Sequence, residues 1–449
     1  MRYLPLTDAA REEMKKSIGI DDIEDLFRSI PKDKSFFPLD AIPPALSEPE
    51  LIAHFKSLGR KNSFQEYLSF LGAGAYAHFI PEVVSYLSAK GEFLTPYTPY
   101  QPEISQGNLQ AIFEYQTMLS MLTGLAVANA SLYDGGTAAA EAVLLAVRKS
   151  GRPRVLLAES LHPEYAAIIR AYVQNLPIEL VTVKTGTPDG RIDGADLQAK
   201  LNGQTAAFVF QSPNFLGVVE DSGALATTAH RHQAYAVQVV TEAMSLAYLR
   251  PAVDFAVDIV VGEAQSFGLS LGFGGPYLGF ITASEEFLRQ MPGRIVGQTK
   301  DLDGKRGYVL TLSTREQHIK REKATSNICS NEAWCALRAG MYLATMGKGG
   351  LARAAADSHL NAAYFVKKAA ALRQVQVVYK RNFYNDVLLE VTRGTAAAFL
   401  AKLRKKKVLA GVSLGWFYPA QTKRLLLSFS EMHSREDIDR LLRLIGECA

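Results

Sequence analysis

A glycine pair and a threonine open an alanine-rich stretch at residues 131–148, SLYDGGTAAAEAVLLAVR. A helix that begins this way presents unpaired backbone N–H groups and the positive end of its dipole to an anion. Asp134, Gly135, Gly136 and Thr137 are thus a candidate phosphate cradle; the other reading is that Asp134 caps the helix and the glycines only make the turn. A second segment, TPYTPYQPEISQGNLQAIFEYQTM at 95–118, places three prolines, Tyr97, Thr98, Tyr100, Gln101 and Glu103 ahead of a helix. Stiff polar and aromatic loops on a scaffold commonly carry binding groups, although a proline-stiffened packing loop has the same composition. A third, RGYVLTLSTREQHIKREKATSNICSNEAW at 306–334, sets Thr325, Ser326 and Asn327 where they could bind an oxyanion, with Lys323 supplying charge; a solvated linker with a helix cap is the alternative. GFGGPYLG at 272–279 lacks the G-x-G-x-x-G spacing of a dinucleotide loop. His78, His162 and His318 have no ligand spacing and read as structural, so no metal is expected. No HExxH, GxSxG or CxxC pattern occurs, which argues against zinc proteases, serine hydrolases and thioredoxin-like redox chemistry.

The elements that must position these groups follow from periodicity. Residues 1–65 read as a polar helical arm with pieces such as AAREEMKKSIG and IDDIEDLFRSI, separated by turns at Pro31, Pro38 and Pro43–Pro44. From 66 to 330 helices around 107–123 and 137–149 precede the short apolar runs RVLLA, IELVTV, AAFVFQ, AVQVV and DIVVG. Strands apolar on both faces and separated by helices predict an α/β domain with a mainly parallel sheet. Residues 331–449 read as a long helix, EAWCALRAGMYLATMG, followed by helix, strand, strand, helix, strand and helix, a small α+β domain.

Composition bounds the function. Lys and Arg number 49 against 45 Asp and Glu, and no basic stripe with interleaved aromatics occurs, so nucleic acid is not an expected partner. The run Lys402, Arg404, Lys405, Lys406 and Lys407 reads as a solvated helix end. Three cysteines, Cys329, Cys335 and Cys448, match no zinc spacing and read as reduced thiols. No apolar run reaches the roughly 18–20 residues that span a bilayer, and charges interrupt the N-terminal stretch, so a cytoplasmic, membrane-free protein is expected.

Together, GAGAYAHFIPEVV (72–84), the 95–118 segment, NASLYDGGTAAAEA (129–142), QSPNFLGVVED (211–221), DIVVGEAQSFGLSLGFGGPYLGF (258–280) and TREQHIKREKATSNICSNEA (314–333) resemble the N-terminal half of glycine decarboxylase, the P-protein family of the glycine cleavage system. The resemblance runs over most of the chain in collinear order. It implies the aspartate-aminotransferase-like fold type I of pyridoxal phosphate enzymes, with active sites between protomers. It also implies an activity: decarboxylation of glycine with pyridoxal phosphate as electron sink, and transfer of the aminomethyl group to the lipoyl arm of the H-protein. In some members the enzyme is two subunits corresponding to its halves, and this length matches the first.

The cofactor lysine that the resemblance leads one to expect is missing. Alignment on the glycine run puts Gln265 at its position, alignment on Asp258 puts Ser266 there, and no lysine lies between Lys200 and Lys300. Where a carboxylate usually pairs with the ring nitrogen, this chain reads QVVTEAM, with Thr241 or Glu242. The resemblance therefore implies that Asp134–Thr137 belong to a degenerate pocket and that pyridoxal phosphate is held by the catalytic, C-terminal-half subunit. This chain would complete that subunit's site across the interface. Tyr97, Thr98, Tyr100, Gln101 and Glu103 would shape the glycine site, and Thr325, Ser326 and Asn327 would contact the partner's phosphate. Two rivals stand: a non-catalytic scaffold, and a stand-alone pyridoxal transferase or lyase that recruits Lys300, Lys305 or Lys323.

Overall fold

The strand Thr205–Gln211 is buried at every position, the signature of a strand covered on both faces. The computed structural model that shows this describes residues 6–30, 42–186, 188–328 and 330–448. Pro31, Pro38 and Cys329 lie outside the described residues.

The chain divides into two units, Met1–Gln65 and Glu66–Ala449. In the first, helix Asp8–Ile18 starts at Thr7, whose hydroxyl accepts from Ala10 N–H at 3.2 Å, and ends at Gly19, which takes a left-handed φ of 79°. A 3-10 turn spans Ile23–Phe27, and helix Glu48–Gly59 begins with a Ser47–Glu50 capping box.

The strands of the second unit, in chain order, are β1 (Leu68–Ser69), β2 (Val127–Ala128), β3 (Arg154–Ala158), β4 (Glu179–Val183), β5 (Thr205–Gln211), β6 (Tyr235–Val240), β7 (Ile259–Glu263), β8 (Gly279–Ala283), β9 (Ile295–Lys300), β10 (Arg306–Thr311), β11 (Val375–Val377), β12 (Asp386–Val391), β13 (Val408–Leu409), β14 (Val412–Ser413) and β15 (Arg424–Ser428). Seven of them form one sheet in the order β2-β8-β7-β6-β5-β3-β4. The run β7-β6-β5-β3-β4 is parallel, and β8 and β2 pair antiparallel at one edge. The five apolar runs read from the sequence are these parallel strands.

Alternation along the strands divides the core. Leu156, Phe208, Phe210 and Val260 face one layer with Tyr115, Leu119, Leu225 and Ala339 from the helices Gln106–Thr123, Ser222–Arg231 and Ala333–Ala369. Val155, Leu157, Val209, Val237 and Ile259 face the other, against the helices Gly135–Ser150 and Pro163–Val173. The first of these helices meets the sheet through Ala138, Ala139, Ala142 and Ala146, all fully buried, so small side chains let helix and sheet approach closely. Each fully buried Val, Leu or Phe contributes about 1.5–3 kcal/mol, so these two layers are the main reason the site scaffold is rigid.

The helix Ala333–Ala369 is interrupted at Gly347, which has φ 59° and ψ 179°. Its first half packs in the core of the large sheet, and its second half, with Phe365 and Ala369, packs on a four-stranded sheet of order β11-β12-β15-β14. The other face of that small sheet places Leu388 and Leu426 against Phe215 and Leu216. Lys402, Arg404 and Lys405 lie in the last turn of the helix Ala396–Lys405 and are exposed.

Candidate functional site

Two of the sequence segments meet on one side chain. Arg294, 4% exposed, donates from Nη1 to Thr98 Oγ1 and to Ser330 Oγ, each at 3.1 Å, and from Nη2 to Tyr100 Oη at 2.6 Å. Its Nε pairs with Glu316 Oε2 at 3.3 Å, and its guanidinium carbon stands 4.7 Å from the centre of the Tyr100 ring. Thr98 and Ser330 also share a short hydroxyl–hydroxyl contact. The loop 95–104 is thus fixed from behind while its outer side stays open: Tyr97 is 83% and Ile104 81% exposed. Gln101 and Glu103 are exposed too. A cavity of about 330 Å³ opens beside it, lined by Leu94, Tyr97, Ile112, Arg294, Leu310 and Trp334 among others.

The β9–β10 hairpin, which the sequence analysis did not foresee, docks on the helix Gln106–Thr123 through two glutamines. Gln116 donates to Val296 O at 3.1 Å and accepts from Val296 N at 3.0 Å. Gln106 does the same for Tyr308, donating to its carbonyl at 2.9 Å and accepting from its N–H at 2.8 Å. Each carboxamide continues the hairpin's edge as another strand would. Thr325 and Ser326 are half-buried and Asn327 exposed. Ser326 Oγ donates to the buried Glu141 at 3.3 Å, within its own chain, and Asn327 lines a smaller cavity with Tyr100, Arg294 and His318.

The second constellation surrounds the candidate phosphate cradle, where internal partners take most of the polar groups. Asp134 and Thr137 form a capping box, with Thr137 N donating to Asp134 Oδ1 at 2.7 Å. The N–H of Gly135 goes to Glu263 Oε2 at 3.0 Å, and Glu263 Oε1 accepts from Leu278 N at 2.7 Å and Gln265 N at 3.1 Å. Glu263 is 2% exposed; burial pushes its carboxyl up to about 7 against the pull of these amides. A Cβ on Gly135 would lie 2.2 Å from Tyr165 Oη and 2.9 Å from Glu263 N, so the space over the helix start is filled. A carboxylate of the chain itself stands where an anion would sit.

Gln265 is 1% exposed, donates to Leu269 O at 2.7 Å and accepts from Tyr76 N at 3.0 Å, while Ser266 is 2% exposed. Thr241 Oγ1 accepts from Gln211 at 3.1 Å. Glu242 Oε2 stands 3.0 Å from His78 Nε2, and His78 Nδ1 stands 2.7 Å from Glu431 Oε2. His162 accepts from Glu164 N at Nδ1, which places its proton on Nε2, donated to Ala73 O at 2.8 Å. Burial lowers the pKa of this imidazole, so it is neutral. Residues 73–78 therefore thread through the pocket and take its hydrogen bonds. With no lysine, an internal carboxylate in the cradle and its own segment in the centre, the pocket of this chain does not fit pyridoxal phosphate. Lys300 and Lys305 flank the turn of the β9–β10 hairpin and Lys323 lies in an exposed turn. Among the described residues no cluster of metal-ligating side chains occurs, and no helix is long and apolar enough to cross a membrane.

The family model described as "Glycine cleavage system P-protein" matches residues 1–445. This chain belongs to the P-protein family. Among curated P-protein relatives, the "Probable glycine dehydrogenase (decarboxylating) subunit 1" of Moorella thermoacetica is 45% identical over 442 residues, covering 98% of each chain. The protein of the same name from Koribacter versatilis is 44% identical over 451 residues, covering 100% of each. A crystal structure of glycine decarboxylase (P-protein) in inhibitor-bound form superposes with a TM-score of 0.86 at 39% identity over 100% of both chains. Sphingosine-1-phosphate lyase of Burkholderia pseudomallei, 14% identical with a TM-score of 0.66 over 92% of this chain and 94% of its own, shares the fold alone. The P-protein chain thus has the fold type I architecture of pyridoxal phosphate enzymes, as its sequence led one to expect.

Neither Arg294 nor Glu263 was singled out in the sequence. Arg294 follows Pro292–Gly293 and reads as a turn residue, and Glu263 ends an apolar strand; their roles arise only from what the fold brings to them.

Proposed function

We propose that this chain is the cofactor-free subunit of a two-subunit glycine dehydrogenase (aminomethyl-transferring, decarboxylating) and that it completes the active site of the catalytic subunit. The observation that carries the reading is Gln265: at a position the family resemblance gives to the cofactor lysine, a buried carboxamide is hydrogen bonded at both ends inside the chain. The names of the relatives, each a subunit 1, support a partner subunit. Pyridoxal phosphate belongs to that partner, glycine is the substrate, and the lipoyl arm of the H-protein receives the aminomethyl group, all in the cytoplasm.

The contribution of this chain is then positional. Tyr97, Thr98, Tyr100, Gln101 and Glu103 form one wall of the glycine site, in which Tyr97, Gln101 and Glu103 orient substrate and exclude water while the hydroxyls of Thr98 and Tyr100 tie the wall to Arg294. Thr325, Ser326 and Asn327 reach toward the partner's phosphate. Residues 66–330 form the large domain and 331–449 the small one, with the first half of the helix Ala333–Ala369, before the break at Gly347, packed in the core of the large sheet.

The test is borohydride reduction followed by peptide mass spectrometry, on the isolated chain with pyridoxal phosphate and on its complex with the catalytic subunit. A phosphopyridoxyl label on the partner alone, with glycine decarboxylation only in the complex, is expected. A specific labelled lysine in this chain, with turnover by the chain alone, overturns the reading.

A further inference from the structure

The turn that presents Arg294 is held at every carbonyl. Met291 O and Gly293 O accept from the two terminal nitrogens of Arg315, the latter at 3.2 Å. Pro292 O accepts from Asn129 Nδ2 at 3.1 Å, and Arg294 O accepts from Ala130 N at 2.9 Å. Gly293 has φ 72°, and a Cβ there would come within 3.0 Å of Asn129 Nδ2, so only glycine fits the turn without strain. Four successive carbonyls with fixed donors leave the backbone of Arg294 one position. Arg315 is itself 6% exposed and Asn129 fully buried, so the anchors are as rigid as what they hold.

We propose that Arg294 is a positioning residue that sets the geometry of the loop 95–104 where it enters the partner's active site. This rests on the reading of that loop given under Proposed function. The guanidinium suits the task because its planar fork donates in several fixed directions at once. It reaches Thr98 and Tyr100, two residues apart in the loop, and Ser330 in the segment that leads to the long helix. One buried group therefore sets the spacing between the two segments expected to cross the interface. Burying this cation is tolerable because Glu316, whose side chain is 9% exposed, neutralises it at 3.3 Å, and the face of Tyr100 lies against it. A lysine in its place keeps the charge and can keep the pair with Glu316. Its single nitrogen cannot meet Thr98, Tyr100 and Ser330 in their present places.

The consequence is catalytic because Arg294, 4% exposed, acts through the loop it holds. Misplacing a substrate-positioning group by about 1 Å costs up to roughly a hundredfold in rate. The experiment measures kcat and KM for glycine in the assembled enzyme with H-protein, for Arg294→Lys, Tyr100→Phe, their double variant and the pair Thr98→Val/Tyr100→Phe, with melting curves for each. The expected result is a fall in kcat/KM of about tenfold or more for Arg294→Lys, with the melting temperature little changed. The double variant Arg294→Lys/Tyr100→Phe should be no worse than its poorer parent, because both changes remove one interaction. Thr98→Val/Tyr100→Phe, which leaves Arg294 and Glu316 in place, should reproduce the loss and keeps the question open to test if Arg294→Lys does not fold. Normal turnover in Arg294→Lys, or in Thr98→Val/Tyr100→Phe, overturns the proposal while Tyr97→Phe or Glu103→Gln still impairs the enzyme. Losses that simply multiply in the double variant overturn it as well. Normal turnover in all of them, Tyr97→Phe and Glu103→Gln included, overturns the reading of the loop itself.

Discussion

His78 Nε2 stands 3.0 Å from Glu242 Oε2, both side chains 2% exposed, and the opposite ring nitrogen meets Glu431. Burial alone would strip the proton from this imidazole, but the two carboxylates outweigh it and raise its pKa to about 10. Folded His78 is therefore an imidazolium through the neutral range, whereas the unfolded side chain titrates near 6.5. A raised folded pKa means that its stabilisation is fully present below the unfolded value and is lost as pH rises through about 10. Melting temperature followed from pH 6 to about 10.5 should fall for the wild type across the upper part of that range. His78→Ala should lack the alkaline fall and lose roughly 3–5 kcal/mol at pH 7, because two carboxylates are left buried without their cation. An alkaline fall that survives unchanged in the variant would assign it to another group.

Glu263 accepts from the N–H groups of Gly135, Gln265 and Leu278. Glu263→Ala leaves these donors without their acceptor, at a cost of about 1–3 kcal/mol for each that water does not reach. The denaturation midpoint of the isolated chain should drop clearly. The pH dependence has a definite sign. With the folded carboxyl pushed up to about 7, the contribution of Glu263 is greatest below its ordinary value of 4.5 and declines as pH rises through about 7. Comparing midpoints of wild type and variant at pH 5 and pH 8 measures this, and the gap between them should be wider at pH 5.

Tyr97 and Glu103 separate the catalytic reading from a scaffold. Tyr97 is 83% exposed, so Tyr97→Phe or Glu103→Gln should leave the fold and the melting temperature of the isolated chain unchanged. In the assembled enzyme each should lower turnover by about tenfold or more, equivalent to about 1.4 kcal/mol of transition-state stabilisation. Full turnover with intact assembly would favour the scaffold.

What could be read from the sequence follows from burial. The strands β3, β5, β6 and β7 were legible because they are apolar on both faces, β4 because it is a short mainly apolar run, and the helix Gly135–Ser150 because glycines and alanines mark its start and its close packing. The antiparallel β8 escaped notice because GFITA runs on from the glycine-rich loop, and β9–β10 because IVGQTK and RGYVLT mix charged residues with apolar ones. The long helix was read as ending near Gly347, which is where its backbone breaks, but the helix resumes at once. The loop 95–104 stood out by composition. The groups that hold it did not, since Arg294, Glu316 and Ser330 come from places far from it in the chain and no local pattern couples them.

The hairpin that carries Arg294 toward the loop depends on Gln116. Gln116 is 7% exposed and satisfies both the N–H and the carbonyl of Val296, two residues beyond Arg294. Gln116→Leu fills the same space but leaves those two backbone groups dry, so a loss of about 2–4 kcal/mol in chemical denaturation is expected. Gln106→Leu removes the matching pair at Tyr308, but Gln106 is only partly buried and water can take over, so its cost should be near 1 kcal/mol. Equal costs for the two variants would mean that water reaches Val296 as readily as Tyr308, and the rigid docking of the hairpin would lose its main support.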